Sequence, residues 1–168
     1  MKFSSLLMTL LCGVMLIMTT ACHTRKEITK VNHRDTKSVE PISKRLRSEV
    51  DAWVGSPYRY GGCTKQGTDC SGFVQAVYES VYGIKLPRTS QAMYAFTNPV
   101  KLEQLQIGDL VFFDYEGKGV SHVGICLDEK YFAHASTSKG VVISELRSAW
   151  HLKRFVRGGR ILSNKKRT

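Results

Sequence analysis

Three residues of the 168-residue chain have types and surroundings suited to nucleophilic chemistry: Cys70 in TDCSGFVQ, His122 in SHVGICL and His134 in YFAHAS. Cys70 stands where an apolar run with helical spacing begins, with Phe73, Val77 and Val81 at four-residue steps and Val74 and Tyr78 beside them. A thiol in the first turn of a helix meets unpaired backbone N–H groups and the positive end of the helix dipole. Both favour thiolate over thiol, so the helix tip is expected to ionise Cys70 and make it a nucleophile.

A thiolate alone is a modest hydrolase, because a leaving amine needs a proton, and an imidazole brought from elsewhere in the chain supplies it. His122 and His134 each sit in a short strand-like run flanked by Gly, Ala or Ser, where adjacent strands could set them side by side. The expected triad is Cys70 as attacker, His122 as partner of the thiolate and proton donor to the leaving group, and His134 fixing the tautomer of His122. Taken singly, either histidine reads as a satisfied core or edge residue; a helix-capping cysteine alongside both reverses that balance. The same three atoms could serve as zinc ligands, but no CxxC or HExxH spacing supports it, and no metal or cofactor is called for.

The elements that must position these groups can be read from periodicity. Pro41 suits a first helical turn, and Ile42, Leu46, Val50 and Trp53 or Val54 recur at helical spacing before Gly55. The helix that starts near Cys70 should end at Gly83 as a left-handed cap. Residues 86–96, LPRTSQAMYAF, offer Thr89 or Ser90 as N-cap of a short helix closed by Asn98 and Pro99. From Asp109 onward, DLVFFDY, SHVGICL, YFAHAS, VVISEL and RFVRGGRIL are short β-branched or aromatic runs, giving four or five strands. Their separations are too short for helical crossovers, which predicts an α+β fold, N-terminal helices packed on a mainly antiparallel sheet.

The chain has room for one compact domain, placed at 41–163. Residues 1–21 carry Lys2, an apolar run from Leu6 to Met18 and a small-residue exit, the pattern of a secretory signal peptide. Cys22 follows Thr19, Thr20 and Ala21, as the lipidated cysteine of a bacterial lipoprotein would; Cys12 follows the bulky Leu11 and should leave with the signal. Residues 23–40 hold few aliphatics and no aromatic and, with Cys22, form a tether over 22–40 reaching roughly 23 Å on a random-coil estimate; 164–168 is a basic tail. Without the signal, 24 basic and 14 acidic residues leave a charge of +10. An exported chain rarely meets nucleic acid, so the charge points to anionic lipid or cell-wall polymer. Three thiols besides Cys22 would then stand in an oxidising compartment, which suggests that one is reactive.

Taken in order, PYRYGG at 57–62, TDCSGFVQ at 68–75, LPRTSQ at 86–91, IGDLVFF at 107–113, SHVGI at 121–125 and FAHAS at 132–136 resemble the NlpC-type cysteine peptidases of bacterial cell walls, papain-like in core layout. With the lipobox, the likeness is to the outer-membrane murein endopeptidase lipoproteins of that family. The resemblance implies the catalytic set Cys70, His122 and His134, a peptidoglycan stem or cross-link peptide as substrate, and a domain anchored to the outer membrane and facing the periplasm, with a monomer expected. It implies that Tyr58, with the backbone N–H groups of Cys70 or Ser71, holds an oxyanion; the competing reading is a core tyrosine. It implies that Asp69 and Ser71 help receive a free amino end, against a plain helix cap at Asp69. An acyltransferase or amidase on the same residues, or a non-catalytic envelope-binding lipoprotein, are the rival functions. Cys63 and Cys126 depart from the family's usual residues; Cys126 is expected to be a buried small hydrophobe and Cys63 an exposed loop thiol.

Overall fold

The computed structural model describes residues 41–161. The expected signal peptide, Cys22, the expected tether and the basic tail lie outside the described residues. Helix α1 (Ile42–Asp51) buries Leu46 and Val50, with Trp53 just beyond its end, and leaves Ile42 and Val54 exposed. A small hairpin, β1 (Cys63–Thr64) with β2 (Gly67–Thr68), leads directly into α2 (Cys70–Tyr82). Helix α2 ends as expected, with Gly83 at φ 65° in the left-handed region. Thr89 caps α3 (Ser90–Phe96), its hydroxyl accepting from the Ala92 amide.

Asn98 and Pro99 do more than stop α3. They form β3 (Asn98–Val100), which pairs antiparallel with the last strand, β8 (Phe155–Arg160). The main sheet therefore has six strands in the order β3-β8-β4-β5-β6-β7, one more than expected, through β4 (Leu110–Phe113), β5 (His122–Cys126), β6 (Tyr131–Ser136) and β7 (Gly140–Glu145). Proline is tolerated in β3 because the strand lies on the sheet edge. A four-residue helix, α4 (Ala149–Leu152), interrupts the run of strands. Among the described residues no helix is long and apolar enough to cross a membrane.

Strand alternation divides the core between the two sheet faces. Leu110, Phe112, Val123, Ile125, Ala133 and Ala135 pack under the helices against Leu46, Val50, Phe73, Val74 and Val77. Val111, Phe113, Cys126, Phe132 and Leu146 form a second cluster on the other face. His122 and His134 share that second face, by parity with Cys126 and Phe132, and the His134 ring stacks on Phe132 at 4.7 Å.

Candidate active site

Cys70 is the first residue of α2, and Asp69 is its N-cap with extended backbone at φ −96°, ψ 178°. The Asp69 carboxylate is filled by its own surroundings. Its Oδ1 accepts from the Gly72 amide at 2.7 Å, the Ser71 hydroxyl at 3.1 Å and Arg88 Nη1 at 2.9 Å. Its Oδ2 accepts from the Gly61 amide at 2.9 Å and Arg88 Nη2 at 2.8 Å. These five donors exceed the about four lone-pair sites of a carboxylate, and Asp69 is only 6 % exposed. The structure thus favours the helix-cap reading of Asp69 over reception of a substrate ammonium. Hydrogen bonds to Arg88 and to two amides outweigh burial and hold the Asp69 carboxyl below the usual range. Ser71, equally buried, joins the same network, with Arg88 Nη1 donating to its hydroxyl at 2.8 Å. Arg88 came from the sequence only as part of LPRTSQ; its role as a clamp on the nucleophile loop needed the fold.

The two histidines meet as expected. Ile125 pairs with Ala133 and Cys126 with Phe132, so continuing the register sets His134 opposite Gly124 and diagonal to His122. His122 Nε2 lies 2.8 Å from His134 Nδ1, and His134 Nε2 lies 3.0 Å from the Ser144 hydroxyl. Nδ1 of His122 is then the nitrogen left for Cys70. The Val123 amide, next along the strand, points at the Cys70 sulfur together with the amides of Ser71 and Cys70. For His122 to accept a proton at Nδ1, its Nε2–H must donate to His134 Nδ1, and His134 Nε2–H to Ser144. Ser144, in VVISEL, is a site residue that no motif signalled; it lies across the β6–β7 ladder from Phe132.

The expected ionisation of Cys70 is corrected by its burial. Desolvation pushes the thiol pKa up and outweighs the amides of Val123, Ser71 and Cys70, which act the other way. Burial also drives His122 well below the ordinary imidazole value, helped by His134 and His151 nearby. Both shifts favour the uncharged forms, thiol and imidazole. Tyr58 bridges to Thr68 and so stands beside the Asp69–Cys70 segment. Its phenol is raised by burial and then by Cys70, which keeps it protonated as a donor.

A third imidazole was not anticipated. His151 of α4 lies with its ring centroid 6.0 Å from that of His134, one ring nitrogen 2.7 Å from the Glu145 carbonyl and 2.9 Å from the Ser148 hydroxyl. Cys126 is buried and Cys63 exposed, both free thiols, as expected.

His134 gives a pH prediction. Burial, then His151, lowers its pKa to about 4, against an unfolded value of about 6.5. The folded state resists protonation, so this stability is present above pH 6.5 and is lost as pH falls toward 4. About 3 kcal/mol is expected to disappear across that window, read by urea denaturation at each end. His134→Gln should show a smaller loss; equal losses would remove His134 as the cause.

The NlpC/P60 family pattern matches residues 55–160, and the chain belongs to that family. The chain is 39% identical over 122 residues to the murein DD-endopeptidase MepS/murein LD-carboxypeptidase of Escherichia coli K12, covering 73% of this chain and 64% of that one. It is 39% identical over 131 residues to the probable endopeptidase NlpC of the same organism, covering 77% of this chain and 84% of that one. Among solved structures, an NLP/P60 family lipoprotein-like protein of Staphylococcus aureus superposes with TM-score 0.65 at 33% identity, covering 77% of this chain and 45% of that one. The chain thus spans less than two thirds of the first of these relatives and less than half of the last.

Proposed function

We propose that this protein is a cysteine endopeptidase that hydrolyses stem or cross-link peptides of peptidoglycan, anchored by lipid at Cys22 with its domain facing the periplasm. The observation that carries the reading is the relay in which His122 Nε2 lies 2.8 Å from His134 Nδ1, leaving Nδ1 of His122 unclaimed, while the amide of the adjacent Val123 reaches the Cys70 sulfur. As Sγ of Cys70 attacks the scissile carbonyl carbon, its proton passes to Nδ1 of His122. The backbone N–H groups at the helix tip and the Tyr58 hydroxyl receive the developing oxyanion. The C–N bond then breaks, the proton moves from His122 to the leaving amine, and a thioester remains. His122 next takes a proton from water, the hydroxide releases the acid, and the thiol is restored.

The names of the Escherichia coli relatives support murein as substrate. The lipobox-like sequence before Cys22 supports the anchor, and the +11 charge of the whole chain suits an acidic polymer. The test is digestion of purified cross-linked peptidoglycan with the domain, followed by mass analysis of the muropeptides. Cross-linked dimers should fall and monomers rise, with the new termini identifying the bond. A profile unchanged from the untreated control would overturn the peptidase reading, and amine-capped rather than hydrolysed products would replace it with acyl transfer.

A further inference from the structure

Tyr115 closes the run DLVFFDY and has no role assigned above, yet its ring stacks on that of His122, centroids 4.7 Å apart and planes 28° apart. Trp150 of α4 lies behind it, also at 4.7 Å, and the Arg154 guanidinium covers Trp150 at 4.3 Å from the ring centroid. The layers therefore run Arg154, Trp150, Tyr115, His122. The loop that carries Tyr115 is firmly held. The Asp114 carboxylate accepts from the amides of Glu116, Gly117, Lys118 and Gly119, and the Tyr115 amide donates to the Ser121 hydroxyl at 2.9 Å.

Among the described residues, the Tyr115 hydroxyl is the only buried side-chain polar atom without a hydrogen-bond partner. Burying a hydroxyl unpaired is unfavourable. The position is thus occupied for the sake of the ring, whose place is against the imidazole face.

We propose that Tyr115, backed by Trp150, is a positioning residue for His122: its ring covers one imidazole face, fixes its plane and keeps water from it. An imidazolium loses hydration under such a cover, whereas the electron-rich ring face attracts it. Desolvation is the larger effect on His122, so the cover keeps the imidazole neutral. The other titratable groups acting on His122 are His134 of β6 and His151 of α4, while Cys70 of α2 acts on Tyr115. His134 and His151 oppose a positive charge on His122 in the same direction, so removing the stack relieves only part of the effect.

The test compares the wild-type domain with Tyr115→Phe, Tyr115→Ala and Trp150→Ala, each first checked for a cooperative melt. Two rates are followed against pH: inactivation of Cys70 by iodoacetamide, and kcat/KM on muropeptides. In Tyr115→Ala the acid limb of both should move up toward the free-histidine value of about 6.5, with a loss of rate of up to about fourfold near pH 6 and little above pH 8. Trp150→Ala should move the limb the same way by less. Tyr115→Phe keeps the ring and loses only the unpaired hydroxyl, so it should follow the wild-type profile with equal or higher thermal stability. Superimposable limbs for Tyr115→Ala and wild type would overturn the proposal, as would a shift in Tyr115→Phe as large as in Tyr115→Ala. Alkylation reads Cys70 and His122 without any peptide, so it decides the proposal even where muropeptide cleavage fails.

Discussion

Cys70→Ala is expected to lose about 10⁴-fold or more of the peptidoglycan-cleaving rate, on the scale seen when a covalent nucleophile is removed from other hydrolases. The structure gives the reason for expecting so much. At the helix tip the Ser71 hydroxyl is committed to Asp69 and Arg88, and the Cys126 thiol lies in the cluster of Val111, Phe113 and Phe132. The variant should keep its fold. Sγ makes no structural cross-link, and the His122–His134 contact does not involve it. Stability is therefore expected within about 1 kcal/mol of wild type. His122→Ala should fall to a similar level, and the double variant should be little worse than either, because the two act as a unit. Initial rates of muropeptide release, with denaturation curves alongside, check all three. Residual turnover by Cys70→Ala within tenfold of wild type would remove the cysteine mechanism. If wild type and Cys70→Ala bind peptidoglycan equally and neither cuts it, the non-catalytic lipoprotein is the better description.

Gly72→Ala is the second large effect, and it tests the scaffold rather than the nucleophile. A Cβ at this position would lie 2.1 Å from the Gly62 carbonyl oxygen, 3.1 Å from its carbon and 3.2 Å from Asp69 Oδ1. The Gly62 carbonyl cannot simply step aside. It accepts from the Asp69 amide at 3.2 Å, Arg88 Nη2 at 3.1 Å and the Thr68 hydroxyl at 3.4 Å. Either the loop carrying Gly61 and Gly62 or the first turn of α2 must move, and that turn carries Cys70.

Alanine is favoured over glycine in a helix by about 1 kcal/mol, so the clash has to outweigh that gain. A net loss of about 2–3 kcal/mol is expected. A displacement of about 1 Å at the nucleophile is enough for about a hundredfold loss of kcat. Urea denaturation and kcat measured on one preparation check both. Gly72→Ala as stable and active as wild type would show that the loop does not seat on the helix in this way.

The legible part of the protein was set by interactions that act within a few residues. The apolar spacing of Phe73, Val77 and Val81, the Asp69 cap and the Gly83 stop are local, and α2 spans Cys70–Tyr82 as they predict. Alternation in SHVGICL and YFAHAS likewise put His122 and His134 on one sheet face, where short connections make the strands neighbours. The β3 strand was missed because Asn98 and Pro99 stop a helix by local rules, while their pairing with β8 depends on a segment some sixty residues later, Asn98 facing Arg160.

The chain's own order of residues was thus enough to name the candidate nucleophile, the two imidazoles that meet and the helices-then-strands layout, since caps, periodicity and strand alternation operate over short separations. Only the folded arrangement decided that Arg88 and two backbone amides fill the Asp69 carboxylate, that Ser144 ends the histidine relay and that the Tyr115 ring stacks on His122. It also set the direction in which the Cys70 thiol is shifted. A helix tip by itself favours thiolate, but how much water the surrounding segments exclude outweighs that local preference, and exclusion is a property of the whole packed chain.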